Sequence, residues 1–135
     1  MIYLDTAALV KLVRREPESD ALAGWLDERT DVPWVTSVLA EVELGRALRR
    51  TEPDLLSAVP AVLARLYRCE IDASVRTTAA AFTDPTLRTL DAIHLATALV
   101  VPGEELTAFL TYDQRLLAAA RERGVPTQAP GPTAW

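Results

Sequence analysis

The 135-residue chain has one cysteine (Cys69), one histidine (His94) and one lysine (Lys11). A lone cysteine excludes an intramolecular disulfide framework and a Cys-based zinc cage, and it suits a reducing compartment such as the cytoplasm. A lone histidine in the middle of a helical segment, with no nucleophile motif beside it, argues against a Ser-His-Asp or Cys-His triad. The 5 glycines do not cluster, so there is no Gly-rich phosphate loop. The longest apolar stretch, Ala92 to Val101, is interrupted by His94 and Thr97 and falls short of the ~20 residues a membrane span needs. Met1 to Asp5 carries neither a basic nor a long apolar leader. The sequence therefore predicts a cytoplasmic protein, neither exported nor embedded.

The composition is that of a folded chain, with 50% hydrophobic and 24% charged residues. The length suits a single domain over residues 1–135, with the tail from 129 expected to fray. A net charge of -5 and a pI near 4.9 speak, taken alone, against nucleic acid, because such binders normally carry a basic footprint. Periodicity and turn residues predict strands at 2–5, Pro33 to Thr36, Tyr67 to Ile71, Ala108 to Tyr112 and Val125 to Gln128. Helices are expected at Thr6 to Arg15, Ser19 to Glu28, Ser37 to Arg50, Asp54 to Leu66, Ser74 to Phe82, Thr89 to Val100 and Asp113 to Arg123, with Ser37 and Thr89 as caps and Gly124 as a stop. Strands alternating with helices imply parallel crossovers and a doubly wound α/β sandwich. Sites in such folds lie at the carboxyl ends of the strands.

Two acids fall there. Asp5 follows Ile2-Tyr3-Leu4 directly, and Asp113 follows Ala108 to Tyr112. Either one alone reads as a helix cap, whereas two at one sheet edge repel each other and favour a bound cation. Asp91 lies in Thr89-Leu90-Asp91-Ala92-Ile93-His94-Leu95-Ala96, which is apolar on nearly every face and so is expected to be buried. A buried carboxylate needs a partner, and a metal would supply one. His94, three positions on, reads more readily as a core histidine with satisfied nitrogens than as a ligand. Glu41 and Glu43 lie about 200° apart on one helix, and periodicity does not choose between them. Arg46 and Arg50 share the face of Glu43, either as a solvated ion pair or as guanidiniums that grip phosphate. Trp25, on an early amphipathic helix, hints at apolar surface left for association.

The blocks Ile2-Tyr3-Leu4-Asp5-Thr6-Ala7, Ser37 through Glu43 to Ala47, Leu87 through Asp91 to Ala96, and Leu110-Thr111-Tyr112-Asp113-Gln114-Arg115-Leu116 resemble, in order, the four acidic blocks of the PIN domain. More narrowly they are similar to the VapC toxin ribonucleases of bacterial toxin–antitoxin pairs. That resemblance spans about residues 2–128 and implies that Asp5, Glu43, Asp91 and Asp113 form a metal-binding catalytic quartet for Mg²⁺ or Mn²⁺, with Glu43 preferred over Glu41. It also implies Thr6 and Thr111 as supporting hydroxyls, hydrolysis of RNA such as a tRNA or rRNA loop, a translation block, a VapB-type antitoxin and a homodimer. Ala7 departs from the pattern, since many relatives place Ser or Asn there. Two other readings are a non-catalytic PIN-like binding module and a DNA nuclease related to flap nucleases. Setting the quartet aside leaves 15 acids against 14 bases, so most of the net acidity belongs to the proposed site.

Overall fold

Parity along the first strand decides which way each side chain looks. In β1 (Ile2–Leu4) all three residues are buried. Ile2 and Leu4 enter one apolar layer with Leu9, Leu22, Leu44 and Leu48, while Tyr3 enters the other with Val35, Leu95, Phe109 and Leu116. Such two-sided burial marks a parallel sheet covered on both faces. The computed structural model, which describes residues 1–132, bears out that arrangement.

After β1 come α1 (Thr6–Val13), α2 (Ser19–Asp27), β2 (Trp34–Ser37), α3 (Leu39–Thr51), a 3₁₀ segment (Pro53–Ala58), α4 (Val59–Ala64) and β3 (Leu66–Cys69). Then follow α5 (Ala73–Ala81), α6 (Thr89–Val100), a 3₁₀ turn (Gly103–Glu105), β4 (Ala108–Leu110), α7 (Gln114–Glu122) and β5 (Thr127–Gln128). The strand order is β3-β2-β1-β4-β5, all parallel, with Ile2 in register with both Trp34 and Ala108. The chain builds outward from β1 to β3 and then crosses to the other side of β1 to lay down β4. The order thus reverses between β1 and β4, and a crevice opens at their carboxyl ends.

All five expected strands form, and the departures have physical causes. The helix expected over Asp54 to Leu66 is divided at Pro60, which lacks an N–H and is tolerated only in the first turn of α4. Ser37 is the last residue of β2 rather than a cap: Val38 precedes α3, and the Ser37 hydroxyl still accepts from Leu39 N–H at 3.1 Å. Thr89 is already helical, so Arg88 takes the cap position and no side chain closes that end. Asp72 caps α5 through Val75 N–H at 2.9 Å. Trp25 is not left bare, because the Arg29 guanidinium lies 3.8 Å from its ring centroid. At the start of the tail Ala129 and Pro130 are half-buried, and Tyr112 Oη donates to Pro130 O at 2.6 Å. Thr133, Ala134 and Trp135 lie outside the described residues.

Gly124 ends α7 with φ 72°, and an added Cβ there would meet nothing within 4 Å. Gly124→Ala is therefore expected to lower stability by ~1 kcal/mol through backbone strain alone, read as a shift in the urea midpoint at unchanged slope.

Candidate active site

Asp5 sits where β1 gives way to α1, with 4% of its surface exposed. Its Oδ1 accepts from Ala8 N–H at 2.9 Å, capping α1, and its Oδ2 accepts from the Thr111 hydroxyl at 2.5 Å. Thr111 in turn accepts from Asp113 N–H at 3.2 Å, so one hydroxyl ties the ends of β1 and β4 together. Asp113 caps α7, its Oδ1 accepting from Leu116 N–H at 3.0 Å. The capping role anticipated for an acid at a strand end is thus real for both aspartates, and it orients each of them at the crevice.

Glu43 leaves α3 towards α1 and α6. Its Oε1 accepts from the Thr6 hydroxyl at 2.6 Å and lies 2.8 Å from His94 Nε2. His94 is 2% exposed, and its Nδ1 lies 2.7 Å from Tyr3 Oη. Both ring nitrogens are therefore engaged, as expected of a core histidine. Glu41 lies elsewhere, paired at the surface with Arg68 at 3.1 Å. Asp91 is half-buried rather than fully buried, because the first turn of α6 lies at the edge of the core, where Thr89 and Leu90 are exposed and Ala92 is buried. Among the described residues no hydrogen bond is recorded on the Asp91 carboxylate or on Glu43 Oε2. Arg46 and Arg50 are exposed on α3, and among the described residues neither joins an ion pair.

The acids share one electrostatic field. Burial, with the charge of Asp91 adding to it, pushes the Asp5 carboxyl up to about 6, against the lowering influence of His94, Thr111 and Ala8 N–H. Burial also raises Asp91, helped by Asp113 and Glu43 and opposed by His94 and Arg88. Glu43 is half-buried, yet hydrogen bonds from His94 and Thr6 and the nearby His94 ring hold it below the usual carboxylate range. The lone lysine offers these acids nothing, since Lys11 Nζ is spent on Glu16 at 2.9 Å and Glu18 at 3.0 Å and lies over the Tyr112 ring. Sequence reasoning did not find Tyr3 as the partner of His94 or Arg88 as a charge that acts on Asp91. The signals available were the parity of β1 and the position of Arg88 just ahead of α6.

Among the described residues no three His, Cys, Asp or Glu side chains form a ready-made coordination cluster. The quartet is brought within mutual electrostatic reach without closing on one point. An all-oxygen anionic set with unengaged oxygens on Asp91 and Glu43 fits a hard divalent cation, which uses one or two carboxylates and keeps several waters.

This sheet order, with acids at its reversal point, defines a class of protein that comparisons specify further. A family model described as PIN domain matches residues 2–122, and the chain belongs to that family, in its VapC branch. It is 60% identical over 132 residues to Ribonuclease VapC35 of Mycobacterium tuberculosis, covering 97% of this chain and 98% of that one. It is 45% identical over 129 residues to Ribonuclease VapC46 of the same species, covering 96% and 97%. Among solved structures, VapBC2 from Rickettsia felis bound to a promoter DNA fragment shares the fold at TM-score 0.69 and 17% identity, over 96% of this chain and 99% of that one. A toxin–antitoxin complex from Klebsiella pneumoniae does so at TM-score 0.66 and 21% identity, over 87% and 91%.

A carboxyl held near 6 in the folded chain and near ~3.9 when unfolded favours folding while protonated, so stability falls as pH rises between about 4 and 6. In metal-free buffer at about pH 7.5, Asp5→Asn is expected to stabilise the protein by about 1–3 kcal/mol, since the amide oxygen keeps the cap and the buried charge is gone. Thermal melts of both proteins should converge as the pH is lowered to about 4.

Proposed function

We propose that this chain is an endoribonuclease toxin, dependent on Mg²⁺ or Mn²⁺, that blocks translation by cutting RNA and is neutralised by a cognate VapB-type antitoxin. The observation carrying this reading is the 60% identity to a ribonuclease over 97% of the chain, and the mutual charge effects linking Asp91 with Asp5, Asp113 and Glu43 support it. Asp5, Glu43, Asp91 and Asp113 would hold the cation. When bound there, a divalent cation supplies positive charge against the charge developing on the phosphodiester and acidifies an attacking water.

The chain's own residues do the rest. Asp5 is held rigid by Thr111 and by the start of α1, so its carboxylate needs no reorganisation when substrate arrives. Thr6 occupies Glu43 Oε1 and leaves Oε2 for the site. A nearby carboxylate of the set would accept the proton of the attacking water. Arg46 and Arg50, exposed further along the helix that carries Glu43, contact the RNA backbone. A looped or single-stranded region of tRNA or rRNA suits an open crevice, because its bases are already unstacked. The reading places the protein in the cytoplasm as a homodimer, and no helix among the described residues is long and apolar enough to cross a membrane.

Purified protein is expected to cut RNA in Mg²⁺ or Mn²⁺ and to lose the activity on chelation, with Asp5→Asn and Asp91→Asn each slower by roughly 100-fold or more in a gel cleavage assay. Equal cleavage by wild type and both variants would show that another site or a contaminant does the cutting. RNA binding should also require the metal, because the metal-free acids repel phosphate.

A further inference from the structure

The layer of the core beneath α6 is mostly apolar, and two of the polar groups buried in it, beside the Thr36 and Thr97 hydroxyls near Tyr3, are a phenol and an imidazole. Val35, Leu95, Ala98, Phe109, Leu116 and Val125 surround Tyr3, which is fully buried, and His94, which is 2% exposed. A buried imidazole or phenol left without hydrogen bonds is destabilising by a few kcal/mol, and an apolar side chain at either place would fill the layer with no such penalty. The two polar groups meet each other, Tyr3 Oη at 2.7 Å from His94 Nδ1, and the far nitrogen of the ring meets Glu43 Oε1 at 2.8 Å. The line of contacts therefore starts in the dry interior and ends on a carboxylate of the candidate site. Its near end is immobile, because the Tyr3 ring stacks on Phe109 at 5.2 Å and meets the His94 ring edge-on at 5.8 Å.

The direction of the hydrogen bonds follows from the groups themselves. An ionised carboxylate only accepts, so the ring nitrogen facing Glu43 carries the proton. The other nitrogen of the neutral ring then accepts a hydrogen bond from the Tyr3 hydroxyl. The Thr6 hydroxyl spends its single proton on the same Glu43 oxygen at 2.6 Å, and its oxygen lies 3.3 Å from His94 Nε2. Two donors from two different helices thus converge on Oε1 and fix the carboxylate plane.

We propose that Tyr3 and His94 form a two-link relay that positions Glu43, the phenol setting the ring's tautomer and the ring's Nε2–H holding Glu43 Oε1 so that Oε2 is presented to the site. His94 is a positioning residue in this arrangement and not a ligand, since both of its nitrogens are engaged. The relay deepens the reading of Glu43 as part of the catalytic set and rests on it. Groups behind a ligating carboxylate typically change metal affinity or activity by about 10–100-fold when removed.

His94 is the only histidine, so its ring is the only imidazole signal in tag-free ¹⁵N-labelled protein. Two-bond ¹H–¹⁵N spectra of the metal-free wild type are expected to show a protonated Nε2 and a bare Nδ1, and any other pattern overturns the relay. Mn²⁺ titration by calorimetry supplies the second readout. Tyr3→Phe, which removes one oxygen, and His94→Leu are expected to weaken Mn²⁺ binding by about 10-fold or more. His94→Gln, whose amide N–H reaches as far as Nε2, should stay within about threefold of wild type. Circular dichroism melts identify any variant that fails to fold, and Tyr3→Phe alone then carries the comparison. Wild-type affinity in folded Tyr3→Phe and His94→Leu overturns the proposal. Absence of Mn²⁺ binding by the wild type sinks the metal reading instead, and the tautomer then decides the relay by itself.

Discussion

A carboxylate is buried where the first strand ends, and the arrangement of the crevice depends on keeping it there. Asp5 is held from two sides, by the first turn of α1 at Ala8 and by the Thr111 hydroxyl after β4. The two elements that meet at the reversal of strand order are therefore joined through one anion. Removing such a charge from water is unfavourable by several kcal/mol unless hydrogen bonds compensate it, and here they compensate only in part, as the raised proton affinity shows. The scaffold carries this strain in the metal-free state because the apolar layers on both faces of the sheet supply ample stabilisation elsewhere.

The acids around Asp5 divide by how they are held. Asp5 and Asp113 serve as caps, so their positions follow from where the strands end and the helices begin. Glu43 is held from the side by groups on α1 and α6. Among the described residues no side chain hydrogen-bonds Asp91, and burial with the nearby charges of Asp113 and Glu43 raises its affinity for a proton. Rigid and responsive carboxylates in one crevice suit a site that must keep its shape and still move a proton.

The net charge of -5 illustrates how composition misleads when read without position. Setting Asp5, Glu43, Asp91 and Asp113 aside leaves 15 acids against 14 bases, so the remainder is close to neutral. Lys11, Arg14 and Arg123 are occupied by internal acids, whereas Arg46 and Arg50 on α3 remain exposed.

Much of this was legible in the sequence, since local rules govern it. Short apolar runs ending in an acid are strands followed by caps, so β1, β4, Asp5 and Asp113 were readable from residues alone. Gly124 was readable as a stop for the same local reason. What periodicity could not resolve was any choice that depends on a second element. Glu41 and Glu43 are equivalent on a helix wheel, and only the packing of α3 against α1 and α6 sends Glu43 to Thr6 and His94. Asp91 was expected to be buried because the whole of α6 is apolar, yet its first turn lies at the edge of the layer it packs on. The strands, the caps and the supply of acids follow from chain-local periodicity and chemistry and are readable from residues alone. Which acid faces which neighbour, and that Tyr3 stands behind His94, follow from the closed sheet, because hydrogen bonds between residues 91 positions apart exist only once it has formed.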